Sequence, residues 1–199
     1  MAISFQYNKT SLQGLEKQLK VRVRALPTIK NKESALRIEV KKAKDESQRL
    51  DNELTNAVRS YKSMAAIWGE FDASLVKIAD VNLDIKKIAG VKTPVLAGIE
   101  FKIAGFSIFN APKWYPGGIE ILKNLATIAI EREVFLRKMQ LLDYARKKTT
   151  QKVNLFEKVQ IPGYADAIRK IKRFMEDEDN LSKSAQKIVK TRQQEEAEQ

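Results

Sequence analysis

Starting at Glu33, alternating steps of three and four residues land on Leu36, Val40, Ala43, Ser47, Leu50, Leu54, Ala57, Tyr61, Met64, Trp68 and Phe71. Apolar side chains repeating in this way form a heptad seam that another helix must cover, and neither proline nor glycine interrupts it before Gly69. The rhythm extends back through Leu15, Leu19, Val23, Leu26 and Ile29. One helix over the whole stretch has about 60 residues and a length of about 90 Å at 1.5 Å per residue. A chain of 199 residues cannot build a core that long around a single helix. The seam therefore predicts a second helix of similar length lying beside the first.

That second helix is found in the last 80 residues. Ile121, Leu125, Ile128, Phe135, Met139, Leu142, Thr149, Val153 and Phe156 repeat the spacing, with Arg132 and Arg146 as polar exceptions, and beyond Pro162-Gly163 it resumes through Ile168, Ile171, Met175, Leu181, Ala185 and Ile188. Thr10 and Gln13 have the spacing of a capping box, which starts the first helix there. Pro27 removes the hydrogen bond to the Val23 carbonyl and crowds that turn; a kink in a continuous helix is favoured over a stop and restart.

Between Lys77 and Gly118 the heptads cease, and three of the five prolines and five of the eight glycines gather. Ile99 to Ile103 alternates apolar and polar residues, Ala104-Gly105 can turn, and Phe106-Ser107-Ile108 alternates again, so a short β-hairpin is expected there. Trp114, Tyr115 and Pro116 form an aromatic corner before the second helix. The connection is too short for a return along the rod, so the two helices must run antiparallel. The expected fold is mainly α: a long antiparallel two-helix coiled coil with a helix over residues 1–76, a middle segment with the hairpin over 77–118, and a helix with a charged tail over 119–199.

Charge is unevenly placed. The net charge is +12, but residues 1–50 and 146–192 together carry +14, residues 51–145 carry +1, and the remaining −3 sits on Glu195, Glu196 and Glu198. If the ends pair, one end of the rod is strongly basic, suiting nucleic acid, an acidic membrane surface or an acidic protein socket. Cysteine and histidine are absent, which removes the usual parts of zinc sites, Ser-His and Cys-His catalysis and pH switching near neutrality. Gly90-Val91-Lys92-Thr93 lacks the glycine pattern of a phosphate-binding loop. Glu176 to Asp179 are four consecutive acids whose side chains point to different sides of a helix, a solvated face rather than a metal site. No nucleophile, base and orienting group assemble, so neither catalysis nor a cofactor is expected. No apolar run reaches the ~18 to 20 residues of a membrane span and no signal-peptide core opens the chain, so a soluble intracellular protein is expected.

Three blocks resemble one family, the D subunits of V-type and archaeal-type rotary ATPases. Asn8-Lys9-Thr10 through Leu12, Leu15, Leu19, Ile29-Lys30-Asn31-Lys32 and Leu36 is similar to the family's opening helix. Ile88 to Val95, with Gly90 and Pro94, resembles its Ala-Gly-Val-x-x-Pro element. Lys152 to Pro162, with Val153, Asn154, Glu157, Ile161 and Pro162, is similar to its Arg-Val-Asn-x-x-Glu-x-x-x-Ile-Pro signature, followed by Ile168 to Ile171. Lys152 stands in place of the usual arginine, and the basic run expected near the C-terminus is softened between Leu181 and Lys187.

The resemblance implies a non-catalytic central rotor shaft, or central stalk, in the bore of a hexamer of two ATPase subunits. It further implies a small companion, the F subunit, along the coiled coil, a socket subunit linking the base to the membrane ring, and a place on the cytoplasmic face of the membrane. On that reading Lys17, Lys20, Arg22, Arg24, Lys187 and Lys190 at the basic end meet the hexamer. Ile99, Phe101, Ile103, Phe106, Ile108, Trp114 and Tyr115 serve partners at the base. Two other classes fit a long basic helical chain: a nucleic-acid-binding coiled coil, marked by steep salt dependence, and a scaffold coiled coil, marked by homodimerisation.

Overall fold

The structure is a computed structural model and describes residues 3–61, 68–106 and 112–197. In chain order the elements are helix α1 (Lys9–Ser60), a single 3-10 turn (Ala73–Leu75), strands β1 (Val76–Ile88) and β2 (Val91–Ile103), helix α2 (Tyr115–Asn154), a π-helical turn (Leu155–Gln160) and helix α3 (Ile161–Ala197). The chain divides into two compact units, one of residues 1–31 with 149–199 and the other of residues 32–148.

In the first unit α1 begins at Lys9 under a cap from Asn8, whose side-chain oxygen accepts from the Ser11 N–H at 2.7 Å. This corrects the expected Thr10 box; Asn8 and Thr10 are both competent caps, and the chain takes the earlier. The helix runs unbroken through Pro27. Its partner α3 is antiparallel to it: Glu16 meets Lys172 at 2.9 Å, Gln18 meets Tyr164 at 2.7 Å, Arg22 meets Gln160 at 2.7 Å and Lys30 meets Glu157 at 2.7 Å. Leu15, Tyr164, Ala167, Ile168 and Ile171 are buried together, with Leu12, Leu19, Met175, Ile3 and Phe5 packed against them. The last two come from an extended segment ahead of α1 that lies along α3. Ile3 rests against Gly163, where an added Cβ would come within 3.1 Å, and the Tyr7 ring stands 4.8 Å from that of Phe174.

Pro162 accounts for the turn before α3. Lacking an N–H, it cannot bond the Lys158 carbonyl, and its ring crowds that turn. The backbone widens instead, and the Ile161 N–H reaches back to the Phe156 carbonyl, five residues away.

Among the described residues nothing covers the seam expected beyond Met175. Leu181 is 72% exposed and Ile188 56%, because α1 starts too late to reach them. Leu19 packs with Tyr164, Ala167, Ile168 and Ile171, and the pairing with α1 does not extend to Leu181.

In the second unit Leu36, Ala43 and Leu50 of α1 and Leu142 of α2 are buried, at the heptad interval. The pairing is again antiparallel: Asp51 and Arg132 form a 3.0 Å ion pair, while Val40 and Lys44, earlier in α1, share a groove with Met139 and Asp143, later in α2. The hairpin is displaced from its expected place. Ile99 to Ile103 is a strand, but its partner is the preceding segment: Val76 pairs with Ile103 and Ile88 with Val91. The turn is Ala89-Gly90, not Ala104-Gly105, and both residues have positive φ, 48° and 82°, as the tightest hairpin turns require. Lys77, Asp80, Asp84, Lys86 and Lys87 obscure the first strand's alternation in sequence. The turn sits beside Lys32, whose Nζ is 3.5 Å from where a Gly90 Cβ would lie. The strands' 13 residues span about 43 Å at ~3.3 Å each, nearly the rise of α1 from Lys32 to Ser60 at ~1.5 Å per residue.

Ala89 carries the cost of a left-handed backbone without glycine's freedom, about 1 kcal/mol. Ala89→Asn, which tolerates that region, should raise stability by roughly that amount in urea unfolding while leaving the strand pairing unchanged.

Candidate partner-binding surfaces

Steps of three and four place Lys17, Lys20 and Arg24 on one face of α1, opposite Leu15 and Leu19. All three are exposed and form no ion pair among the described residues. Lys183, Lys187 and Lys190 share a face of α3 in the same way, opposite Leu181, Ala185 and Ile188, and every residue from Glu176 to Gln194 is exposed. This part of α3 has an apolar stripe on one side, a lysine stripe on the other and, among the described residues, no covering element.

Arg22 belongs elsewhere. Its guanidinium carbon lies 4.5 Å from the centre of the Tyr164 ring, its Nε donates to Gln160 and an Nη donates to the Gln18 carbonyl at 3.1 Å. These bonds hold it within the helix pair. Among the other cations, Lys30, Lys172, Arg169 and Lys170 are tied to Glu157, Glu16 and Asp166. Lys170 and Arg169 hold the Asp166 carboxyl below the usual carboxylate range. Of this unit's cations, Lys17, Lys20, Arg24, Lys183, Lys187 and Lys190 form no ion pair among the described residues and lie on these two faces.

At the base, aromatic rings form a continuous cluster. Trp68 and Trp114 are 5.5 Å apart, Phe71 and Trp114 5.7 Å, Phe71 and Tyr115 5.2 Å, and Phe106 and Tyr115 6.0 Å. The Tyr115 hydroxyl donates to the Glu70 carbonyl at 2.7 Å, which ties the start of α2 to the segment after α1. Trp114, Tyr115 and Phe106 are thus packed together, half-buried. On β2, Ile99 and Phe101 are half-buried and Ile103 is 44% exposed. Ile108 lies outside the described residues.

Two apolar features were missed in the sequence. Ile78, Leu83 and Ile85 of β1 are among the more exposed large apolar residues, hidden because β1 itself was not recognised. A groove on the helix pair of the second unit is lined by Val40, Lys44, Met139, Asp143, Tyr144 and Lys147. Within it Arg146 and Lys147 hold the Asp143 carboxyl below its ordinary range, and Tyr144 is exposed.

The motif positions fall at structural joints. Gly90 makes the hairpin turn, Pro94 stands in β2 opposite Ile85, Val153 and Asn154 end α2, Glu157 pairs with Lys30 from within the π turn, and Ile161 and Pro162 open α3. Among the described residues no helix is long and apolar enough to cross a membrane.

Comparison with known proteins gives the family. Residues 11–191 match the family of ATP synthase D subunits. The V-type ATP synthase D subunit of Borreliella burgdorferi is 29% identical over 190 residues, covering 92% of each chain. That of Chlamydia pneumoniae is 26% identical over 183 residues, covering 89% of this chain and 87% of its own, and that of Chlamydia muridarum 26% over 195 residues and 96% of each. With the match running from the first turns of α1 nearly to the end of α3, the chain belongs to the family of ATP synthase D subunits.

Proposed function

We propose that this protein is the non-catalytic rotor shaft of a V/A-type ATPase, linking ATP turnover in a catalytic hexamer to rotation of a membrane ring. The observation that carries the reading is the uncovered stretch of α3 from Glu176 to Gln194, with its apolar and lysine stripes, together with Lys17, Lys20 and Arg24 on the outward face of α1. Flexible cations hold weakly to many positions, and exposed ion pairs contribute only ~0 to 1 kcal/mol each. A bearing surface needs such attraction without a deep well. The groove around Met139 and Tyr144 suits the small companion, the F subunit, and the aromatic base suits the socket subunit. Coupling would then be mechanical: an asymmetric shaft biases each catalytic interface differently as it turns. The complex would lie on the cytoplasmic face of the membrane.

The test is capture of the hexamer and of the companion across a salt series. Replacing Lys17, Lys20, Arg24, Lys187 and Lys190 by glutamine should weaken hexamer capture and flatten its salt dependence, sparing the companion. Arg22 is left in place because it packs internally. Unchanged hexamer capture with lost companion binding would overturn the assignment of the basic end, and ATP hydrolysis by the purified chain alone would overturn the non-catalytic reading.

A further inference from the structure

The hairpin has two outer edges, and they differ. β2 carries Pro94, which has no N–H to offer a neighbour, and most of its apolar residues are at least half-buried. β1 is exposed along nearly its whole length, and among the described residues β2 is its sole strand neighbour. Exposed edges are normally blunted by lysine or proline. Here Lys77, Lys86 and Lys87 guard only the ends; from Ile78 to Ile85 there is neither.

The side chains of that unguarded stretch are sorted by face. From Asp80 onward β1 pairs without an inserted residue of its own, so Asp80, Asn82 and Asp84 share one face while Val81, Leu83 and Ile85 share the other. Leu83 is 50% and Ile85 71% exposed. Asp80 and Asp84 make no ion pair among the described residues, and the Asp80 carboxylate accepts the Val81 N–H at 2.8 Å. A two-stranded sheet is marginal in water, whereas a third strand gives it a continuous face.

We infer that β1 is an acceptor edge for an extended segment of a partner protein in which apolar and basic residues alternate. Backbone N–H and C=O groups of the segment would complete the open ladder. Its apolar residues would cover Leu83 and Ile85, and its lysines or arginines would stand beside Asp80 and Asp84. This inference concerns residues outside the basic faces and the aromatic base, and it does not depend on the rotor reading.

The experiment uses the full chain and three capped nine-residue peptides: alternating valine and lysine, alternating valine and glutamate, and the lysine peptide with alternate backbone nitrogens methylated. Binding is measured by titration, and its position by amide hydrogen exchange. The lysine peptide should slow exchange in β1 and bind about tenfold more weakly to the Asp80→Lys/Asp84→Lys double variant. The methylated peptide, unable to complete the ladder, should lose binding. Both aspartates are exposed, so the double variant leaves the packing intact. Equal binding of the glutamate peptide, unaffected binding after methylation, or no protection of β1 would overturn the proposal. So would sedimentation showing that a second copy of this chain occupies the edge. Since no other component of the ATPase is present, failure here leaves the rotor reading standing, and failure of hexamer capture leaves this one standing.

Discussion

Ile171→Ala should lower stability by about 2 to 5 kcal/mol, the range for truncating a fully buried aliphatic side chain. Ile171 has no exposed surface and sits among Leu15, Tyr164, Ala167 and Ile168, with Leu12, Leu19 and Met175 around them. The pairing of α1 with α3 is one helix thick on each side, so little second-layer structure can collapse into the space left. Leu181→Ala, on the same helix but at a position 72% exposed, should change stability by no more than about 0.5 kcal/mol. Urea unfolding of the two variants, with hydrogen exchange followed in residues 9–31, provides the measurement. Similar losses from both substitutions would show that the end of α3 is covered within the chain after all.

Gly118→Ala should destabilise the aromatic base, and Gly117→Ala, one residue earlier, should not. Both glycines lie in the first turn of α2, where alanine is favoured over glycine by up to about 1 kcal/mol. At Gly117 an added Cβ meets nothing within 4 Å, so the helix preference stands alone and stability should rise. At Gly118 the Cβ would lie 2.9 Å from the Trp114 ring and 3.3 Å from Phe71. Those rings are held by Trp68 and Tyr115 and cannot swing away freely. Overpacking of this kind typically costs about 1 to 3 kcal/mol, enough to reverse the sign. Opposite shifts in the unfolding midpoint, with a changed tryptophan emission only for Gly118→Ala, are the expected outcome. A rise in stability for both would mean that the cluster around Trp114 is loose.

The contrast between what the sequence revealed and what it concealed has a physical basis. From Glu33 to Ala57 the heptad seam was legible because no proline, glycine or competing period disturbs it, and Leu36, Ala43 and Leu50 are buried as expected. Closer to the N-terminus the eye follows hydrophobicity to Val23, yet Val23 is 49% exposed. Strict steps of four and three from Leu15 and Leu19 land on Arg22, which takes the inward position by laying its guanidinium over Tyr164. Periodicity was the better guide there, and residue type misled. Among the candidate site residues this removes Arg22 from the exposed cations and leaves Lys17, Lys20, Arg24, Lys187 and Lys190 accessible. The hairpin was found by composition but misplaced in register. Its turn has alanine where asparagine is the usual signal, and its first strand alternates with charges on an open edge. The extended segment at Ile3 to Tyr7 was illegible because only its fit against Gly163 and Phe174 gives it a place.

The widened turn at Leu155–Gln160 acts as a frameshift in the heptad reading. On α1 the buried residues Leu15, Leu36, Ala43 and Leu50 keep a single frame, each separated from the next by whole heptads. On the returning arm Leu142 and Ile171 are both fully buried, but they are 29 positions apart, one more than four heptads. The surplus residue coincides with the π turn, whose wider hydrogen-bond spacing takes in one residue more than an α turn. Gaining or losing a residue elsewhere in α2 or α3 would turn the apolar face past that point by about 100° and strand one set of core side chains in water. Within the first unit, a residue gained or lost at this turn leaves Tyr164, Ala167, Ile168 and Ile171 in step with one another, so their shared face against α1 is kept.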